Sequence, residues 1–115
     1  MYYFCFMNKE FIQKLASHVK KGVLSFIVLI VLNDRECYGY ELIEEVKKYT
    51  KIEIAEGTLY PLMNRLKKEG LVDSKWVEQE SGIPRKYYHL TEGGVKNLKE
   101  MEEYWEILVK AVAKI

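Results

Sequence analysis

A chain of 115 residues, 49% apolar and 30% charged, is long enough to bury one core and too apolar to stay disordered. A net charge of +1, with ten Lys/Arg against eleven Asp/Glu over residues 34–90, gives no bulk attraction for nucleic acid, so any such role depends on where the charges sit. Cys5 and Cys37 stand apart without C-x-x-C or His neighbours, which excludes a disulfide framework or zinc spacing and leaves reduced thiols.

The opening Met1-Tyr-Tyr-Phe-Cys-Phe6 is too short for a secretory apolar region. Met7 offers a second start, which would make residues 1–6 an optional extension, and residues 1–7 are expected to be disordered. A first helical region follows over residues 8–32. Its apolar run 23–32 spans only about 15 Å as a helix, half a bilayer core, and is expected to be buried rather than to anchor a membrane. The expected location is the cytoplasm. A second helix over 38–49 puts Leu42, Ile43 and Val46 on one face, with Lys47 and Lys48 suited to the dipole at its C-terminus.

The third helix, 56–69, repeats Leu59, Leu62, Met63 and Leu66 at core spacing and is closed by Gly70. Ala55 is a weak cap. Pro61 favours a start near Thr58, which would bring it close to the first turn, and a longer kinked helix is the alternative. Strands over 71–80 and 86–90 flank a turn at Ser81-Gly82-Ile83-Pro84, and Thr91 caps a final helix, 92–115. The expected fold class is mainly α with a small β-hairpin (α+β), a winged helix-turn-helix with a long C-terminal helix.

The outer face of the third helix carries Tyr60, Asn64, Arg65, Lys67 and Lys68 and no acid between its ends. Amide and cationic side chains match base edges and phosphates in a major groove. Arg85-Lys86 after the turn supplies a second cationic point that a hairpin tip would project. In the final helix Leu98, Met101, Trp105, Leu108, Val112 and Ile115 follow a 3-4-3-4-3 spacing, a heptad seam that calls for a second copy of the chain. His18 and His89 are the only histidines, and no nucleophile triad, paired-carboxylate motif, phosphate loop or metal spacing accompanies them. Neither an enzyme nor a cofactor is expected.

Tyr38-Gly-Tyr-Glu-Leu42, Gly57-Thr-Leu-Tyr-Pro-Leu62, Arg65-Leu66 with Glu69-Gly-Leu71, and Arg85-Lys-Tyr-Tyr-His-Leu-Thr-Glu-Gly93 stand in the order and spacing of PadR-family regulators. The chain resembles that family over about residues 15–115. The resemblance implies a DNA-binding domain over 1–90 and a dimerisation helix over 91–115, assisted by the first helix of the other subunit. It implies repression at a palindromic two-fold operator on double-stranded DNA, with release by a small molecule. Tyr38, Thr58, Tyr60, Asn64, Arg65, Lys67, Lys68, Arg85 and Lys86 are then the expected DNA-binding residues. Trp105 aligns with a tryptophan that, in a multidrug-binding member, stacks on flat aromatic compounds, with Glu102 and Glu106 near it. Two other readings compete: a winged-helix module that binds protein instead of DNA, and a repressor without an inducer, in which Trp105 is core.

Overall fold

The computed structural model describes residues 9–115; the extension and disorder expected within residues 1–7 lie outside them. Helix α1 (Lys9–Asp34) divides into two halves of different character. In its later half Leu24, Phe26, Val28, Leu29 and Leu32 are buried, so the most apolar run of the sequence is the central core helix. Its earlier half leaves Phe11, Ile12, Leu15 and Val19 exposed.

The Arg35 guanidinium donates to Glu41 at 3.2 Å and to Glu45 at 3.0 Å, bracing the corner into the next elements. Two residues, Cys37–Tyr38, then form β1, and α2 (Gly39–Thr50) follows directly. The Tyr38 backbone N–H donates to the Glu41 carboxylate, which offsets an unpaired donor at the helix start. Lys51 ends α2 in the left-handed conformation, its N–H returning to the Lys47 carbonyl.

Helix α3 (Glu56–Lys68) buries Leu59, Leu62, Met63 and Leu66, the stripe that the spacing indicates. It begins at Glu56 and not near Thr58, so Pro61 sits beyond the first turn inside the helix. The carbonyl of Gly57 loses its partner there, but both Gly57 and Pro61 are exposed and water can replace it. At the far end Gly70 has φ +77°, its N–H bonds Lys67 and that of Leu71 bonds Leu66. This paired return is the Schellman stop, and it reverses the chain into β2.

Strands β2 (Val72–Val77) and β3 (Arg85–Leu90) pair antiparallel from Val72 opposite Leu90 to Val77 opposite Arg85. The sheet has three strands in the order β1-β3-β2, because Cys37 and Tyr38 pair with Tyr88 and Tyr87. A two-residue strand carries no periodicity, so the sequence shows only the hairpin. Within the sheet, Cys37 is wholly buried, and that burial pushes its thiol up to about 11. The hairpin loop is longer than expected. Residues 78–84 connect the strands, with Gly82 at φ +87°, and Arg85 and Lys86 lie in β3 instead of at the tip.

Helix α4 (Glu92–Ala113) starts on Thr91, whose hydroxyl accepts the Gly94 N–H and donates to the Gly70 carbonyl. Gly94 lies so close to the chain between α3 and β2 that an added Cβ would collide with the Leu71 carbonyl oxygen. Backbone cannot yield that space cheaply. Gly94→Ala is expected to lose about 1–3 kcal/mol of stability by overpacking. Urea denaturation measures it, and an unchanged midpoint would show that α4 can shift freely.

Candidate nucleic-acid interface

The turn 51–55 holds α2 and α3 as a helix pair, and the β2–β3 hairpin stands beside the second of them. Because α3 turns its leucine stripe inward, its outer pole, with Gly57, Pro61, Asn64 and Lys68, is exposed. Between this helix and the hairpin lies a cleft of about 510 Å³, lined by Tyr38, Gly39, Tyr60, Asn64, Trp76, Pro84, Arg85, Lys86 and Tyr88. Five of the nine expected DNA-contacting residues therefore share one surface: Tyr38, Tyr60, Asn64, Arg85 and Lys86.

Aromatic rings set the cations of this cleft. The Arg85 guanidinium lies 4.4 Å from the Tyr38 ring centroid, and Tyr38 is held edge-on by Tyr87 at 5.4 Å. Lys86 hovers between Trp76 at 5.9 Å and Tyr88 at 5.8 Å. These contacts hold each positive charge in place without neutralising it, since no carboxylate is involved. Tyr60 crosses over Gly39, where a Cβ would stand 2.6 Å from its hydroxyl and push the half-exposed ring aside. Burial, and to a lesser degree Tyr60, pushes the Tyr88 phenol above its ordinary value.

The other four expected residues are elsewhere. Lys67 turns to β2, donating to the Ser74 hydroxyl at 3.0 Å with Asp73 at 3.8 Å. Arg65 and Thr58 lie on the flank facing α1, with Arg65 reaching the Ser25 hydroxyl at 3.5 Å. Lys68 is exposed at the outer pole. The helix itself separates Thr58 and Arg65, which project to the side opposite Tyr60, whereas Lys67 and Lys68 share the sides of Tyr60 and Asn64 but lie further along α3. Sequence reasoning overlooked Trp76 and Gly39 as parts of the site. The pairing of Trp76 with Lys86 across the strands would have been the signal, but it depends on a register that the sequence does not show. Among the described residues no group of His, Cys, Asp and Glu is arranged to hold a metal ion.

Such a surface can do two things. Asn64 can meet base edges from a helix lying in the major groove, and Arg85 and Lys86 can hold phosphate. Replacing both cations with Ala is expected to weaken binding to any duplex and to lower the salt slope by about 2, since each lost phosphate contact removes about 0.9. Titrations at several salt concentrations measure this, and an unchanged slope would mark the pair as mere solvated strand residues.

Two helices joined by a turn, the second exposed and flanked by a cation-bearing hairpin, define a winged helix-turn-helix DNA-binding protein. Residues 28–100 match the transcriptional regulator PadR-like family model. A PadR family transcriptional regulator from Eggerthella lenta superposes with a TM-score of 0.84 at 35% identity, covering 95% of each chain. A PadR-like transcriptional regulator from Bacillus cereus gives 0.77 at 34% identity, over 84% of this chain and 94% of that one. The transcriptional regulator YqjI of Escherichia coli is 29% identical over 93 residues, which are 79% of this chain but only 43% of that protein. The chain belongs to the PadR-like family and is a DNA-binding transcriptional regulator; members of this family are regulators, not enzymes.

Proposed function

We propose that the protein is a homodimeric repressor that binds a two-fold operator and is released by a flat aromatic ligand. The observation that carries the reading is the apolar seam left uncovered along α4. Leu98 is only 2% exposed and belongs to the protomer's own core, so the free seam is shorter than the heptad spacing suggests. From Met101 onward it stays open through Trp105, Leu108, Val112 and Ile115. Phe11, Ile12, Leu15 and Val19 of α1 form a second exposed apolar stripe. Faces of this extent favour covering by a second subunit. A dimer would set two α3 helices about one DNA turn apart, matching a palindrome.

The ligand reading rests on Trp105. Its indole leans on Phe26 of its own protomer, with ring centroids 5.7 Å apart and planes tilted by 47°, and is still 39% exposed. Across a two-fold axis two such half-covered indoles would form the walls of a slot. Flat cationic compounds could stack there, gaining dispersion and cation–π attraction. Glu102 and Glu106 on the same helix add negative charge, although Glu106 already lies 3.7 Å from Lys110.

With Trp76→Phe removing the other indole, a planar cationic dye is expected to quench Trp105 fluorescence saturably, at about one dye per dimer and micromolar concentration, near −8 kcal/mol. Absence of saturable quenching across a panel of such dyes would return Trp105 to an apolar interface without a ligand.

A further inference from the structure

The flank of α3 that faces away from the hairpin is a second cationic surface. One shallow depression there is bounded by Ser17, Lys20, Lys21 and Thr58. The next, sharing Lys21 and Thr58 with it, runs past Gly57 and Pro61 to Arg65. Together they form a continuous strip from α1 to the outer pole of α3. Lys20 and Lys21 are exposed. The one acid lining the strip, Glu53, lies 3.5 Å from Lys47, which partly offsets its charge.

We propose that Lys20 and Lys21, with the hydroxyls of Ser17 and Thr58, grip the phosphate backbone on the α1 side of the recognition helix. The inference rests on the reading of α3 as the helix that enters the major groove. A helix lying in that groove has one DNA strand on each side of it. Arg85 and Lys86 stand on the hairpin side, and Lys20, Lys21 and Arg65 stand on the other. The two cationic flanks bracket Asn64. The position also fits a dimer. At about 100° per residue Lys20 stands about 100° and Lys21 about 160° round the helix from Val19, so covering the apolar stripe of α1 leaves both lysines outside it.

The test is a paired substitution, Lys20→Gln with Lys21→Gln, compared with Lys96→Gln and Lys99→Gln on the exposed side of α4. Both pairs remove the same charge and keep good helix formers. The probe is a labelled mixed-sequence duplex of about 30 base pairs, long enough for two half-sites one turn apart. Anisotropy titrations between about 50 and 200 mM salt give the slope of affinity against salt. The α1 pair is expected to lower the slope by about 2 and to weaken binding about tenfold or more, with unchanged circular dichroism. The α4 pair should stay close to the parent. If the α1 pair behaves like the parent or like the α4 pair, the grip is overturned while the reading of α3 stands. If the parent chain binds no duplex at all, that reading falls first and the grip with it.

Discussion

Leu108→Asp is expected to yield a folded monomer that no longer binds its DNA site. Leu108 is 40% exposed in the protomer and lies at the middle of the open seam between Trp105 and Val112. A carboxylate there costs little while it faces water. In a dry interface it would be unpaired, at a cost of several kcal/mol, enough to separate subunits at micromolar concentration. The protomer should survive, because Gly94 and Leu98 fix the start of α4 to the core and Leu108 belongs to its free part. A half-site bound by one subunit gives up the two-fold fit, so operator affinity falls together with the dimer. Sedimentation velocity and DNA titration on one sample check both outcomes. A variant that stays dimeric and binds normally would place the seam on another face.

Asn64→Ala is expected to act on recognition instead of assembly. Asn64 stands at the mouth of the cleft on the exposed side of α3, where its amide can pair with the edge of a base, adenine being the usual match. Its loss should cost about 1–3 kcal/mol on the cognate site and much less on random DNA. The salt slope should not change, since no phosphate contact is removed. That pattern separates it from the Arg85 and Lys86 double variant, which weakens both kinds of DNA alike. Equal losses on cognate and random duplexes would mean that Asn64 touches only the backbone.

The helices were legible because their causes are local. Leu59, Leu62, Met63 and Leu66 repeat at helical spacing, and all four are buried. Thr91 caps α4 and Gly70 ends α3, as side-chain chemistry dictates. What escaped depends on contacts distant in sequence. β1 exists only because Tyr87 and Tyr88 lie alongside it, and the cleft owes Trp76 and Lys86 to the register of β2 and β3. The rotation of Lys67 toward Ser74 follows from where β2 comes to rest beside α3. Leu98 misled for a related reason. A heptad position says that a face is apolar but not which surface covers it, and the first two turns of α4 already lie on the core.

Sequence-specific recognition by α3 beside the hairpin is expected to set the protein's choice of DNA. Competition between DNA from the chain's own promoter region and a scrambled duplex of equal length, at one fixed salt concentration, tests it most directly. The promoter fragment is expected to be preferred by a factor of about 10³ or more, and Asn64→Ala to narrow the ratio. Equal affinity for the two duplexes would contradict it.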